Sequence, residues 1–280
     1  MRLGIVISTN IESKFSTIST QKVAFHFGNS ALTYRNKAQL QLETGKLLIN
    51  ALQEKLCANI DTKSDADGMK WGLDLGCGPG LFQPQLDVLP GELISLDLSN
   101  SMLNTNPAVN NKVCGDSHSL PLQTSSIDWV FSNLMVQWCD FNTVITEVDR
   151  VLKPGGTAVI STLLPGSLYE LEAAWALVDS DRHIHQYQNS NAIEQSLSDL
   201  DSSSIQCSQH KLVYWYSDAL SLAKELKSLG ANLVNNRNQK GLIGKRKWQL
   251  MEHHYRDLFA NKDTNLVPAT YRVKTVVINK

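Results

Sequence analysis

Between residues 70 and 165 short apolar runs recur at intervals of roughly 20 residues, each followed by turn chemistry and a more polar stretch, which is the βα rhythm of a parallel sheet. Five strands are predicted: Trp71 to Leu75, Leu93 to Leu98, Lys112 to Cys114, Ile127 to Ser132 and Thr157 to Leu163, the last started by a Pro154-Gly155-Gly156 turn. Leu40, Leu47, Leu48 and Leu52 share one side of a helix that precedes the first strand. After Leu164 the rhythm stops. Pro165-Gly166 opens a segment to about residue 210 with helical pattern and no strand until His210 to Tyr216, which reads as an insertion, and Asp199 to Ser204 is its most loop-like stretch. The chain continues with a helix from Asp218 to Leu229 ended by Gly230, a polar helix from Lys245 to Phe259, and a β-branched run from Tyr271 to Ile278.

With 280 residues, 42% of them hydrophobic, the chain can bury a full core. Twenty-six Lys and Arg against 27 Asp and Glu leave a formal net charge of -1, which argues against a globally basic surface for nucleic acid. The five cysteines (Cys57, Cys77, Cys114, Cys139, Cys207) are scattered, with no pairing at zinc spacing, so no metal site is expected and a reducing cytoplasm suits them. The apolar run Leu3 to Ile7 is too short for a signal-peptide core, and no stretch approaches the ~18 apolar residues of a membrane span. The expectation is a cytoplasmic protein whose residues 1–20, rich in Ser and Thr, form a flexible extension.

The strongest local signal is Leu73-Asp74-Leu75-Gly76-Cys77-Gly78-Pro79-Gly80, a strand running into a glycine-rich turn. Glycine is required where backbone takes positive φ or approaches a ligand with no Cβ in the way. Such turns also bind dinucleotides, and some bind nothing. Asp97, in Ser95-Leu96-Asp97-Leu98-Ser99, ends the second strand where a carboxylate can accept from both hydroxyls of a ribose; Asp116, in Gly115-Asp116-Ser117, ends the third, where its oxygen can take an adenine amino group. Each Asp alone is more often a cap or turn residue, but these sites stand at successive strand ends, where open α/β sheets bind ligands. Cys77 sits inside the loop, where a small buried residue suffices, and Met102 packs near an adenine or simply fills core.

The order Gly76-x-Gly78-x-Gly80, Asp97, Asp116, Asn133-Leu134 and Glu147-Val148-Asp149-Arg150-Val151-Leu152-Lys153-Pro154-Gly155-Gly156 resembles a class I S-adenosylmethionine-dependent methyltransferase. A nicotinamide dehydrogenase would more often show Gly-x-Gly-x-x-Gly, and here the third glycine comes one residue early. Phe27-Gly28-Asn29-Ser30-Ala31-Leu32-Thr33-Tyr34, Ser132-Asn133-Leu134-Met135-Val136-Gln137-Trp138-Cys139 and Leu163-Leu164-Pro165-Gly166-Ser167-Leu168-Tyr169-Glu170-Leu171, with Ala174-Trp175 and Val178-Asp179, resemble the malonyl-acyl-carrier-protein methyltransferases of biotin synthesis. Leu226 to Ala231 and Ala269 to Val273 fit the same family, so the resemblance runs from about residue 21 to 280.

It implies a Rossmann-like fold: a mostly parallel seven-stranded sheet flanked by helices, with an inserted helical lid after the fifth strand. The division is a cofactor-binding core over 21–164, a substrate-side insertion over 165–210, and a C-terminal part over 211–280 that completes the sheet and carries basic helices. The implied reaction moves a methyl from S-adenosylmethionine to the free carboxylate of a malonyl thioester on acyl-carrier protein, without metal. The implied cofactor residues are Asp74, Gly76, Cys77, Gly78, Gly80, Asp97, Leu98, Met102, Asp116, Ser117 and Asn133, with Tyr34, His183, Gln137 and Trp138 near the reacting groups. Each of Tyr34, His183 and Trp138 also has a plain packing role open to it. Arg150 reads as a structural ion-pair residue.

Where the family pattern has His-x-Asn-Arg-Phe after the Val-Asp pair, this chain has His183-Ile184-His185-Gln186-Tyr187, so Arg182 or His185 stands as an alternative holder of the substrate carboxylate. Alternatives for the whole chain are a class I methyltransferase acting on a small dicarboxylate or quinone precursor, a non-catalytic S-adenosylmethionine-binding regulator, and, more distantly, a dehydrogenase. The near-zero net charge conceals an uneven distribution: residues 1–210 carry 13 Lys and Arg against 22 Asp and Glu, residues 211–280 carry 13 against 5. Carrier proteins are typically acidic, so Lys224, Lys227, Arg237, Lys240, Lys245, Arg246 and Lys247 form a candidate docking face, the bland alternative being a solvated helix surface.

Overall fold

The structure, a computed structural model, describes residues 20–30, 38–60, 70–108, 111–200, 202, 204–229, 231 and 244–280. Its elements in chain order are α1 (Thr20–Ser30), α2 (Gln39–Ile60), β1 (Trp71–Leu75), α3 (Gln83–Leu86), β2 (Glu92–Asp97), α4 (Asn100–Thr105), β3 (Lys112–Cys114), β4 (Ile127–Asn133), α5 (Phe141–Val151), β5 (Leu152–Leu163), α6 (Tyr169–Ala176), α7 (Ser190–Ser198), β6 (Ser204–Tyr216), α8 (Ala219–Ser228), α9 (Lys245–Phe259) and β7 (Val267–Asn279). The strands form one seven-stranded sheet in the order β3-β2-β1-β4-β5-β7-β6. β1 to β5 run parallel, and β7 enters antiparallel between β5 and β6.

This order follows from which strand faces are apolar. Trp129 and Phe131 of β4, Val159 of β5 and Val277 of β7 face Leu48, Ile49 and Leu52 of α2, while Val130, Ala158, Ile160, Val276 and Ile278 face α5 and α7. A sheet buried on both faces reads as near-continuous hydrophobic sequence, which is why the parallel strands were legible. From β1 the chain steps outward to β2 and β3, then crosses to β4 on the other side. The resulting crevice lies at the carboxyl ends of β1 and β4, the place where such sheets accept ligands.

The sequence expectations differ most from the observed elements at three strand starts. β5 begins at Leu152, so Pro154-Gly155-Gly156 lies within the strand; a register shift between Ile127 and Trp129 of β4 and a φ of 77° at Gly155 accommodate it as a bulge rather than a turn. β6 begins at Ser204, six residues before the predicted start at His210, because an edge strand needs no apolar alternation: Gln206, Cys207, Ser208 and Gln209 are exposed. β7 begins at Val267 and passes Pro268, whose missing N–H is tolerated opposite Trp215 of the edge strand. Residues 267–272 pair only with 211–216, so a two-stranded ribbon extends past Leu163 at the crevice end of the sheet. α6, α8 and α9 cover it through Leu171, Trp175, Leu222, Met251 and Tyr255.

Arg150 takes the predicted structural role: it pairs with Glu147 and donates to the Leu120 and Leu122 carbonyls, tying α5 to the loop before β4. No helix among the described residues is long and apolar enough to cross a membrane.

At the sheet centre Gly72 of β1 lies opposite Trp129 of β4, and a Cβ there would fall 2.0 Å from the indole ring. The indole is held in place by its Nε1–H bond to the Pro90 carbonyl at 2.9 Å. Gly72→Ala is therefore expected to cost about 2–3 kcal/mol, read as a lower urea midpoint at unchanged m-value. A loss below about 1 kcal/mol would show that the ring has room to shift.

Candidate functional site

A cleft opens at the carboxyl ends of β1, β2, β3 and β4. Its floor is the glycine loop. Gly76 and Gly80 have φ of 73° and 71°, and a Cβ on either would strike Met135 or Asn106, so those two serve the packing of the loop. Gly78 differs: its φ is 52° and nothing lies within 4 Å of where a Cβ would point, so it leaves open space where the loop meets the cleft.

Asp97 ties this floor to the next strand. Its Oδ2 accepts from the Gly78 N–H at 2.9 Å and its Oδ1 from the Ser99 N–H at 2.7 Å. Burial pushes its carboxyl up from the ordinary value, and these two N–H bonds pull against that shift. Each oxygen keeps a lone pair, enough to accept ribose hydroxyls. Asp74, beneath the loop on β1, is raised to about 8 by burial and then by the charge of Asp97. It does not line the cleft, nor do Cys77 and Gly80. The Cys77 thiol is buried, takes a hydrogen bond from Asn106 Nδ2, and is pushed well up by burial and the two neighbouring acids.

Gly76, Gly78, Asp97, Leu98, Met102, Asp116, Ser117 and Asn133, all drawn from the sequence motifs, line the cleft together. Asn133 lines it with its side chain already engaged: Oδ1 sits 2.8 Å from the hydroxyls of Thr44 and Ser161, and Nδ2 donates to the Gln41 carbonyl. It fastens α2 to the ends of β4 and β5. Next to it Leu134 holds a φ of 51°, backbone strain of the kind that persists where the surroundings fix a chain end beside a site. Ser117 is buried, its hydroxyl 3.5 Å from the Cys139 thiol, whose pKa burial raises to about 11.

The groups proposed for the substrate side separate. Tyr34 lies outside the described residues. Trp138 lines the cleft and meets the Phe27 ring of α1 edge-on at 5.4 Å, so α1, with Val23 and Ala24, forms part of the cleft wall. Gln137 does not line it; its amide Nε2 donates to the Leu134 carbonyl and its Oε1 is buried and unpartnered. His183 lines a different depression, with its Nε2 2.8 Å from Asp179 and its ring stacked on Trp175 at 3.8 Å. Asp179 also binds Lys247 at 2.7 Å. Burial would raise the Asp179 carboxyl, but the bonds from Lys247 and His183 win and hold it at about 2. His183 is thereby fixed away from the cleft.

His185 is the histidine beside the cleft wall. Its ring lies 4.7 Å from that of Trp138 and its Nε2 3.1 Å from the Gln137 carbonyl. A carbonyl only accepts, so Nε2 carries a proton and donates. Burial lowers its pKa; the Gln137 bond opposes this and the nearby Arg182 charge adds to it. Sequence reasoning passed over the wall residue His118, whose one signal was its place two residues after Asp116; Met135, quoted in the Ser132-to-Cys139 stretch but given no role there, lines the wall as well.

The residues fit S-adenosylmethionine: an open glycine at the floor, buried acids for a cationic ligand and a ribose, and the apolar side chains of Leu98 and Met102 beside the Asp116 carboxylate for an adenine. A methyltransferase-domain family model matches residues 73–160. Over 95% of its length the chain is 32% identical to the malonyl-acyl-carrier-protein O-methyltransferase of Alcanivorax borkumensis, covering 87% of that protein. The chain belongs to the malonyl-acyl-carrier-protein O-methyltransferase family. Members of this family are S-adenosylmethionine-dependent methyltransferases, and this chain is one of them. The biotin biosynthesis bifunctional protein BioHC of Cellvibrio japonicus is 33% identical over 96% of the chain, which spans 52% of that longer protein. Among solved structures, the YcgJ protein of Bacillus subtilis shares the fold at a TM-score of 0.54, with 17% identity, 81% of this chain covered and 98% of the other.

Because the space beyond Gly78 is empty, Gly78→Ala tests ligand approach apart from folding. The substitution is expected to lower the melting temperature by a few degrees, the left-handed conformation costing ~1–2 kcal/mol. Calorimetry is expected to show S-adenosylhomocysteine binding weakened by at least about tenfold. Unchanged affinity would place the ligand elsewhere.

Proposed function

We propose that this chain methylates the free carboxylate of malonyl-acyl-carrier protein, giving the methyl ester and S-adenosylhomocysteine, as the opening step of pimeloyl assembly for biotin. The observation that carries this reading is the identity of 32% across 95% of the chain to a relative bearing that name, substrate-side segments included. When bound, S-adenosylmethionine supplies an electrophilic methyl on a sulfonium. The acceptor carboxylate is already ionised near pH 7, so the protein has no proton to remove. Its task is to align oxygen, methyl carbon and sulfur and to keep water out.

The chemistry of the cleft is consistent with that task. Cys139, the thiol on its wall, stays protonated at neutral pH because its pKa stands at about 11, so it is a poor nucleophile. In this reading Asp97 and Asp116 hold ribose and adenine, Gly78 clears the approach, and Phe27 and Trp138 exclude water. Tyr34 and Gln137 are carried on as candidates near the acceptor carboxylate. Since His183 is engaged with Asp179 and Trp175, His185 is the better histidine for the acyl side, whereas Arg182 lines the His183 depression and donates to Gln186. The ester removes a charge that the apolar channels of chain-elongating enzymes would admit only at a large desolvation cost.

Docking of the acidic carrier is assigned to the basic C-terminal region. Lys224 and Lys227 are exposed on α8, and Lys245 and Arg246 are exposed at the start of α9. Lys247 is half-buried and paired with Asp179, and Arg237 and Lys240 lie outside the described residues.

Purified protein with S-adenosylmethionine and malonyl-acyl-carrier protein is expected to add one methyl to the carrier by mass. Turnover of free malonyl-coenzyme A or small dicarboxylates at the same rate would favour a small-molecule methyltransferase instead, and S-adenosylmethionine binding by calorimetry without methyl transfer a non-catalytic role. For docking, the double variant Lys245→Glu with Arg246→Glu leaves the Lys247 pair intact. It is expected to raise KM for the carrier substrate about tenfold at low salt, with little change in kcat and a weaker salt dependence. An unchanged KM and salt dependence would remove docking from α9.

A further inference from the structure

His118, absent from the sequence motifs, lies in the cleft wall between Asp116 and the backbone of Asp140. Asp116 Oδ1 accepts from the His118 backbone N–H at 2.9 Å and faces the ring Nδ1 at 2.6 Å. On the far side of the ring, Nε2 faces the Asp140 backbone N–H at 3.0 Å. A backbone N–H only donates, so Nε2 must present its lone pair, which puts the ring proton on Nδ1 and makes Nδ1–H the donor to Asp116. The Asp140 peptide thus fixes the tautomer, and the tautomer fixes the carboxylate. Asp116 lines the cleft, and its Oδ1 is occupied by two donors while Oδ2 enters neither bond and keeps its acceptor capacity. Asp140 in turn caps α5 by accepting from the Thr143 N–H, and only Cys139 separates it from the helical turn Val136–Trp138 that carries Trp138 into the cleft.

We propose that His118 is a positioning residue: its neutral Nδ1–H tautomer orients the Asp116 carboxylate so that Oδ2 reads the amino group of the adenine, and its Nε2 locks that reading to the Trp138 turn on the acyl side. This rests on the cleft holding S-adenosylmethionine. An amino-purine donates to Oδ2, whereas a 6-oxo-purine meets it lone pair to lone pair, so the geometry selects against the inosine analogue.

The test compares S-adenosylhomocysteine with S-inosylhomocysteine by calorimetry on the full chain. Wild type is expected to prefer the adenine compound by at least about a hundredfold. His118→Phe, which keeps the ring volume and loses both bonds, is expected to shrink that preference at least about tenfold. His118→Asn retains a donor where Nδ1 stood and has no atom to reach Asp140. It is expected to keep the preference within about twofold while raising KM for the malonyl carrier substrate several-fold. Both variants are checked for an intact melting transition, and if the Phe variant does not fold, the Asn split alone decides. Equal preference in wild type and His118→Phe, or loss of preference together with folding in His118→Asn, overturns the role of His118 and leaves the reading of the cleft intact. No binding of S-adenosylhomocysteine to wild type overturns both.

Discussion

The site is organised around one carboxylate. Asp97 stands at the end of β2 and accepts from the Gly78 and Ser99 N–H groups, so it holds the glycine loop of the neighbouring strand and its own outgoing turn in one arrangement. Hydrogen bonds to a charged acceptor are worth roughly 1.5–3 kcal/mol each, more than ordinary ones. The Gly76 and Cys77 N–H groups bond the Leu96 carbonyl one residue before Asp97, so backbone and side chain of the same strand end hold the loop with its left-handed glycines. The Ser99 hydroxyl then caps α4 through Met102 N–H, which carries the constraint on to the apolar side of the cleft.

That arrangement concentrates negative charge where solvent is scarce. Burial and the charge of Asp97 push Asp74 up to about 8, and burial raises Asp97 as well, so the acids are poised for a cation. The sulfonium and ammonium of S-adenosylmethionine are such cations. Asp116 behaves in the opposite way. Burial would raise it, but the His118 bonds prevail and keep it below the usual carboxylate range. The cleft therefore has acids raised by burial at and beneath its floor and, at one wall, an acid that hydrogen bonding keeps below the usual carboxylate range.

Beside the Trp138 wall of the cleft the packing is aromatic. Phe27, Trp138, His185 and Tyr187 follow one another in ring contact, linking α1, the turn after β4 and the segment before α7. His183, two residues from His185, faces a separate cluster with Trp175, Asp179 and Lys247. The two histidines could not be told apart in sequence, because outside a helix or strand no period fixes which way alternate side chains turn.

The sequence by itself determined the parallel half of the sheet and the cleft's ligand edge. Buried parallel strands must be apolar along their whole length, and a glycine turn with an acid at each next strand end announces itself through residue type and spacing alone. Tertiary structure decided the rest. It absorbed Pro154-Gly155-Gly156 into a bulge because β4 could shift register, and it extended β6 through polar residues because an edge strand is solvated. It also parted His183 from His185 and brought His118 between Asp116 and Asp140, residues 24 positions apart that meet only because β3 and the turn after β4 end at the same cleft. Those outcomes depend on contacts between distant segments, and neither residue type nor local spacing encodes a partner's position.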